Sequence, residues 1–182
     1  MIWLVRHPPV AKYWQKRCYG ISDMGLSREG SRLAKELIFR LVQLSPDAII
    51  HSGLRRTRQI AERAADILAI EARADARWRE RDFGSWEGQS WNAIYRDSGN
   101  AMDGMIDDPH DFRPGGGETT AELSARSLSA LNDLPPDQNI AVITHGGPIA
   151  AILAKRDNAD LRSLAGYIPA LNSISEVDPL SL

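Results

Sequence analysis

The charges of this 182-residue chain nearly cancel: 22 basic residues stand against 24 acidic ones, for a formal net charge of -2. No global field therefore favours nucleic acid or an anionic membrane as a partner, and any anion site must be local. A single cysteine, Cys18, excludes an internal disulfide. With no signal peptide or long apolar span, we expect one cytoplasmic domain over residues 1–182.

The first half of the chain predicts two strand-helix units. An apolar, β-branched run over residues 2–5 is typical of a buried strand, and residues 8–26 form an irregular loop. Ser27 can cap a helix that ends before Pro46, residues 48–50 form a second strand, and another helix follows. The apolar stripes of these helices are Leu33, Leu37, Ile38, Leu41 and Leu44, then Ile60, Ala64 and Leu68.

The second half continues this alternation, less regularly at first. Thr119 and Glu122 form a capping box for a helix that ends before Pro135. The other expected elements are an edge strand over 72–79, a turn-rich segment over 82–88, a helix near 92–97, a loop over 99–117, a strand over 140–143, a helix from about Pro148 and a weak strand over 173–177. Alternating strands and helices predict an α/β fold with a mostly parallel sheet.

Two histidines stand where apolar strands end. His7 follows the first strand, directly after Arg6, and His145 follows the last long apolar run. Because open α/β sheets bind ligands at the carboxyl ends of their strands, we expect both histidines in one site. Arg56 opens the second helix and Gly146 offers a backbone N–H at the start of the last one, so the site suits a phosphate.

These donors predict phosphoryl transfer. A neutral His7 nitrogen can attack phosphorus and form a phosphohistidine, provided that the other ring nitrogen holds its proton against an acceptor. A protonated His145 would stabilise the charge that spreads over the equatorial oxygens. The leaving oxygen needs a proton from a carboxyl group, and the residues alone leave Glu80, Asp82 and Glu87 as candidates.

Four motifs resemble, in order and spacing, those of the histidine phosphatase superfamily, which includes phosphoglycerate mutases. They are LVRH, SGLRRTRQIAE, ERDFGSWEG and VITHGG, and they span nearly the whole chain. The resemblance implies a three-layer α/β/α sandwich of phosphoglycerate mutase type, with no metal and no other cofactor. It also implies that His7 is the phosphorylated nucleophile and that Glu80 donates the proton. The residues that it assigns to phosphoryl binding are Arg6, Arg56 and His145.

A narrower resemblance bears on the substrate. The segments RHPPV, RCYGISDMGLS and DFGSWEG look like those of the α-ribazole phosphatases, which remove the phosphate from α-ribazole 5'-phosphate in cobalamin biosynthesis. Two alternatives stay open: a phosphatase of broad sugar-phosphate or phosphoprotein specificity, and a non-catalytic phosphate-binding module, for which Pro8 is the one hint. A mutase must hold a second phosphate, and no additional basic cluster is committed to that task.

Two residues depart from the family pattern. Glycine is usual after the first histidine, whereas Pro8 has no backbone N–H, so phosphate binding must not need one there. Proline is usual where Gly53 stands, and the glycine is expected to loosen this turn without touching Arg56.

Aromatic and acidic residues near the motifs carry weaker expectations. Stacking on a substrate base is conceivable for Trp78, Trp86 and Trp91, but core packing is the expectation. The resemblance puts the glycine run 115–117 at the border of the substrate pocket, where Glu118 could help to bind substrate. The four histidines and one cysteine show no metal-ligand spacing.

Overall fold

Five strands form one sheet in the computed structural model, which describes residues 1–178. The strands are β1 (Ile2–Arg6), β2 (Ala48–His51), β3 (Ala72–Ala74), β4 (Ile140–Thr144) and β5 (Ile174–Val177). They lie in the order β3-β2-β4-β1-β5; β5 is antiparallel to β1, and the other neighbouring pairs are parallel. The predicted mostly parallel sheet is confirmed, and β1 and β4 lie side by side within it.

Helices cover both faces of the sheet. The α-helices are α1 (Arg28–Leu44), α2 (Arg55–Leu68), α3 (Trp91–Ser98), α4 (Gly104–Asp107), α5 (Thr120–Asn132) and α6 (Gly146–Arg156). One buried cluster joins α1 and α2 to the sheet, and a second joins α5 and α6 to the opposite face. This is the expected three-layer α/β/α sandwich. Within residues 1–178, no helix is long and apolar enough to cross a membrane.

The alternation along β1 divides the core between the two faces. Trp3 and Val5 pack under α1 and α2, whereas Ile2 and Leu4 pack under α5 and α6. Successive strand residues point to opposite faces of a sheet, so a continuous apolar run marks a strand that is covered on both sides. Each such side chain contributes about 1.5–3 kcal/mol on burial, which anchors the strand whose end carries His7.

Local capping fixes the helix boundaries that the sequence predicted. The Ser27 hydroxyl accepts from the Gly30 N–H at 2.8 Å, and α1 ends at Ser45, whose φ of 49° is left-handed. Thr119 and Glu122 form a reciprocal capping box at the start of α5.

The middle of the chain differs from the prediction in two segments. The expected edge strand over 72–79 ends after Ala74, because the Asp75 side chain accepts from the Arg77 N–H and starts a 3-10 turn over Ala76–Trp78. The expected loop over 99–117 contains α4 and further 3-10 turns. Both segments lack the long apolar period that makes a helix or strand readable from sequence.

Candidate active site

The carboxyl ends of β1 and β4 bring two histidines together. Arg6 pairs with Thr144 in the parallel ladder, so the next residues, His7 and His145, leave the sheet side by side. The His7 N–H donates to the Thr144 carbonyl at 3.3 Å, and the imidazole centroids are 5.1 Å apart with the rings inclined by 65°. The register of two central strands therefore builds the pair of imidazoles.

His7 is held as a neutral imidazole. Its Nδ1 lies 2.7 Å from the Pro8 carbonyl, which can only accept, so Nδ1 carries the proton and Nε2 keeps its lone pair. Burial, followed by the positive charge of Arg56, lowers the pKa of His7 from 6.5 to about 3. The contact with His7 uses only the carbonyl of residue 8, which a proline still has. The absence of an N–H on Pro8 therefore does not weaken this hydrogen bond.

His145 is also held as a neutral imidazole, and its protonation when a phosphate binds stays a prediction. The Arg56 Nε–H donates to His145 Nδ1 at 3.3 Å, and a guanidinium cannot accept, so that nitrogen carries no proton. The proton is on Nε2, which donates to the Ser52 hydroxyl at 2.8 Å, and Ser52 contacts the Thr57 hydroxyl at 2.8 Å. Burial and the charge of Arg56 hold the pKa of His145 well below its usual range.

Arg56 is completely buried behind the histidines. Its Nη1 donates to the Ser22 carbonyl at 2.8 Å, and its Nη2 donates to the Gly20 carbonyl at 2.5 Å. The Tyr19 ring covers the guanidinium, with 5.5 Å between Cζ and the ring centroid. The irregular loop over 8–26 therefore holds the arginine that the resemblance assigns to the phosphoryl group.

The turn before α2 requires its unusual glycine. Gly53 has a φ of 84°, a value that a proline ring cannot adopt. Its N–H donates to His51 Nδ1 at 3.0 Å. The turn thus uses a backbone conformation that proline could not adopt, and Arg56 lies in the first turn of α2, as expected.

Glu87 fastens the same loop from the opposite side. Its carboxylate accepts from the backbone N–H groups of Gly20, Ile21 and Ser22 at 2.9–3.1 Å, and from the Ser22 hydroxyl. It also accepts from the Phe83 N–H at 3.2 Å. These contacts engage both oxygens of Glu87 in holding the loop. Sequence reasoning missed this role, because no local pattern pairs residue 87 with residues 20–22.

Of the three candidate carboxyl groups, Glu80 lies on the wall of the cavity that His7 lines. Both of its oxygens accept from the Gly147 N–H, at 3.1 and 3.2 Å, in the first turn of α6. Asp82 instead accepts from the Gly84 N–H at 2.7 Å and lines a second cleft. Glu80 lines this second cleft too, so it stands between the two; the other charged residues and glycines of the second cleft are Arg79, Arg113, Gly116, Gly117, Glu118, Glu122 and Arg126.

Two glycines at the start of α6 allow these close contacts. The helix begins at Gly146, two residues before the predicted start at about Pro148, and the proline lies within its first turn as expected. A Cβ on Gly147 would lie 2.3 Å from Glu80 Oε1, and one on Gly146 would lie 3.1 Å from Arg6 Cζ. Gly146, predicted as a phosphate ligand, thus stands beside the cavity and makes room for the Arg6 guanidinium.

Arg6 carries an unsatisfied donor of the site. Its guanidinium lines the cavity beside His7, and its Nη1 donates to the Pro169 carbonyl. Its Nε is buried without a partner among residues 1–178. A buried donor without an acceptor costs about 1–3 kcal/mol.

The cavity has a polar part and an apolar part, and the apolar part is called the mouth. The cavity has a volume of about 530 Å³, and Arg6, His7 and Glu80 lie at its polar end. The mouth is lined by Phe83, Trp91, Met102, Met105, Ile106, Leu164 and Ile168. Three of these residues, Met102, Met105 and Ile106, come from the segment 99–117, for which the sequence predicts a loop.

One expectation about the tryptophans needs correction. Trp78 is fully buried in the core, as expected, but Trp91 lies on the cavity wall. Glu118 and the glycines at 116–117 line the second cleft, which borders the cavity of His7 at Glu80, and a role of Glu118 in substrate binding stays a prediction. Glu118 points to Arg126, with which it forms an ion pair at 2.5 Å.

A known protein family matches almost the whole chain. Residues 2–180 match the histidine phosphatase superfamily (branch 1), and the chain belongs to this superfamily. A probable phosphoglycerate mutase, GpmB, from Cronobacter sakazakii is 30% identical over 156 residues, which cover 84% of this chain and 73% of that protein.

Solved structures agree with this assignment. A mycobacterial glucosyl-3-phosphoglycerate phosphatase is 27% identical, with a TM-score of 0.79 over 91% of this chain and 82% of its own. The α-ribazole phosphatase of Shigella flexneri has a TM-score of 0.82 over 95% of this chain and 87% of its own, but at 20% identity the likeness is one of fold. Relatives thus include both mutases and phosphatases, and the substrate must be argued from the site.

Proposed function

We propose that the chain is a metal-independent phosphomonoesterase that works through a phosphohistidine on His7. The observation that carries this proposal is the neutral, buried His7, whose Nδ1 proton is held by the Pro8 carbonyl. A nucleophilic imidazole needs a free lone pair at neutral pH, and this arrangement supplies one on Nε2. Arg6 and Glu80 line the same cavity.

The reaction has two transfers. His7 Nε2 attacks phosphorus, the bond from phosphorus to the leaving oxygen breaks, and Glu80 gives its proton to that oxygen. Water then attacks the phosphohistidine, the bond between phosphorus and Nε2 breaks, and the Glu80 carboxylate takes the proton of the water. Inorganic phosphate leaves, and His7 and Glu80 return to their starting states.

Positive charge around the phosphoryl group stabilises both transition states. Arg6 and Arg56 supply this charge, and Gly146 offers the N–H at the start of α6. His145 is neutral while Arg56 donates to it, but a bound phosphate dianion favours its protonated form through the added negative charge. To donate to the equatorial oxygens, His145 takes up a proton on Nδ1 and the Arg56 Nε–H turns away from that nitrogen.

Hydrolysis fits the site better than a mutase reaction. A mutase must hold a second anionic group of its substrate, which calls for free cations near the mouth. Arg17 instead donates to the Gly88 carbonyl at 2.7 Å and lies on the Tyr13 ring, and Arg81 donates to the Thr120 hydroxyl at 3.1 Å. Arg162 also lines the wall and is exposed, so one cation, rather than a cluster, is available for a second anionic group.

We propose α-ribazole 5'-phosphate as the substrate. Its leaving group is a nucleoside with a flat, apolar base, and the mouth offers Trp91 and Phe83 in an edge-to-face pair with centroids 6.0 Å apart. Aromatic side chains of this kind stack on such a base. The alternative is a sugar phosphate, which is favoured by the likeness to the mycobacterial glucosyl-3-phosphoglycerate phosphatase.

A substrate panel tests the proposal. We expect hydrolysis of an aryl phosphate that persists in excess chelator and is inhibited by vanadate, together with a higher kcat/KM for α-ribazole 5'-phosphate than for glucose or glycerol phosphates. Within residues 1–178, no group of three His, Cys, Asp or Glu side chains could hold a metal ion. Metal dependence is decided by the assay in excess chelator. A much higher kcat/KM for a simple sugar phosphate would move the substrate assignment to the alternative. If the protein hydrolyses none of these esters, it is a non-catalytic phosphate-binding module and the proposed function is wrong.

A further inference from the structure

Arg126 uses all its hydrogen-bond donors on the segment that carries Glu80. Its Nη1 donates to the carbonyls of Arg77 and Arg79, both at 2.7 Å, and its Nη2 donates to the Glu80 carbonyl at 3.0 Å. Its Nε and Nη2 bind the Glu118 carboxylate at 2.5 and 2.8 Å. An arginine has five N–H donors, and these five contacts occupy them all.

The segment that Arg126 holds has no regular structure of its own. Residues 79–83 follow a 3-10 turn and belong to neither a helix nor a strand, so no ladder of backbone hydrogen bonds fixes them. Arg126 is on α5, whose start is fixed by the capping box. The Glu118 N–H adds a further tie, since it donates to the Asp82 carbonyl at 2.8 Å.

Glu80 is thereby fixed at both ends by different helices. Its carboxyl group meets the Gly147 N–H at the start of α6, and its backbone carbonyl meets Arg126 on α5. General acid catalysis needs the carboxyl group within hydrogen-bond reach of the leaving oxygen. A displacement of about 1 Å can cost on the order of 100-fold in rate.

We propose that Arg126, held in place by Glu118, is a positioning residue that sets where Glu80 meets the leaving oxygen. The inference rests on the proposed role of Glu80 as proton donor. Lysine keeps the charge of Arg126 but offers one ammonium in place of a planar fork, so it cannot serve three carbonyls and a carboxylate at once.

The dependence of the rate on the leaving group separates positioning from a purely structural role. A dinitrophenolate leaves without a proton, whereas an alkoxide or phenoxide needs one. Misplacing Glu80 therefore slows the esters with poor leaving groups selectively, while general damage to the fold slows all esters alike. The parameter kcat/KM covers the step in which the ester bond breaks and excludes the later hydrolysis of the phosphohistidine.

The experiment measures kcat/KM for dinitrophenyl phosphate, phenyl phosphate and an alkyl phosphate. The variants are Arg126→Lys, Glu118→Gln and Glu80→Gln, with Arg113→Lys as the matched control. Arg113 faces the same second cleft and pairs with Glu122, away from the carbonyls of the Glu80 segment. The ratio of two substrates on one preparation does not depend on the folded fraction, so an unstable variant still gives an answer.

For Arg126→Lys, we expect kcat/KM to fall by about 10- to 100-fold for the phenyl and alkyl esters and by less than about threefold for dinitrophenyl phosphate. Glu118→Gln gives the same pattern with a smaller loss, Glu80→Gln gives it with the largest, and Arg113→Lys leaves the ratios unchanged. If Glu80→Gln shifts the ratio and Arg126→Lys does not, the positioning role is wrong while the proposed function stands. If Glu80→Gln leaves the ratio unchanged, Glu80 is not the proton donor and both statements fall.

Discussion

The inner end of the cavity and its mouth are built on different parts of the fold. At the inner end, His7 is 2% exposed; His145 and Arg56 lie behind the cavity wall and are fully buried, on a strand end and the first turn of a helix. At the mouth, Ile106 and Ile168 are each 44% exposed and belong to short helices and turns. The proposed chemistry therefore depends on rigid elements, whereas the proposed choice of substrate depends on connecting segments.

The largest expected effect is the loss of the nucleophile at the inner end. We expect His7→Ala to lower kcat by roughly 10⁴- to 10⁶-fold with every ester, because the phosphohistidine cannot form. Steady-state assays on the aryl, sugar and α-ribazole phosphates measure this loss. The exposed His110, changed to alanine, is the control and should leave kcat unchanged. A loss that varies strongly from one ester to another would break the division between chemistry and substrate choice.

A smaller effect is expected where α6 meets Glu80. Gly147→Ala puts a methyl group 2.3 Å from Glu80 Oε1, so the carboxyl group must move. We expect kcat/KM for phenyl phosphate to fall by about 10- to 100-fold with little change in the melting temperature. The matched control is Gly166→Ala, because a Cβ there meets nothing within 4 Å. Equal activity of the two variants would show that the contact between Gly147 and Glu80 is not needed.

An effect that depends on the substrate is expected at the mouth, where Trp91 lines the cavity. We expect Trp91→Leu to lower kcat/KM for α-ribazole or naphthyl phosphate by about tenfold, because it removes a stacking surface, and to leave glycerol phosphate nearly unchanged. Trp86→Leu is the control, because Trp86 packs against Phe112 with centroids 6.3 Å apart and does not line the cavity. A loss of equal size for aromatic and alkyl esters would mean that Trp91 supports the inner end instead.

The smallest effect is a dependence of stability on pH. The pKa of His7 is lowered from 6.5 to about 3 in the folded protein, so between these values the unfolded chain binds a proton that the folded chain does not. The stabilisation is complete above pH 6.5 and is lost as the pH falls, by up to about 1.4 kcal/mol per pH unit.

Urea unfolding at pH 7 and pH 5 measures this dependence. We expect the free energy of unfolding to fall less between the two values in His7→Gln than in the parent, by up to about 2 kcal/mol. His110→Gln serves as the exposed control. An identical pH dependence in His7→Gln and the parent would mean that His7 is not buried in its neutral form.

Local patterns predicted the parts of this molecule that depend on neighbours in sequence. The apolar runs of β1 and β4 are continuous because both faces are covered, and Ser27 and Thr119 cap helices through contacts three residues away. Two such strands in register suffice to bring His7 and His145 together. The fold and the paired histidines could therefore be argued from the sequence.

Long-range contacts escaped prediction for a physical reason. Glu87 binds the loop at 20–22, and Arg126 binds the carbonyls of 77–80. These hydrogen bonds join residues far apart in the sequence, so neither the hydrophobic periodicity nor the spacing of motifs predicts them. The neutral state of His145 depends on Arg56 donating to it, which the sequence does not show. The mouth depends on where α4 docks.

Trapping the intermediate tests the role of His7 most directly. Dinitrophenyl phosphate is mixed with the enzyme and quenched within milliseconds in alkali, which preserves phosphohistidine, and mass spectrometry of the digested protein locates the phosphoryl group. Because this leaving group departs easily, the phosphohistidine is expected to accumulate on His7 and to be absent from His7→Ala. A phosphoryl group on His145 or another residue, or steady turnover with no phosphorylated enzyme at any time, would contradict the assignment of His7 as nucleophile.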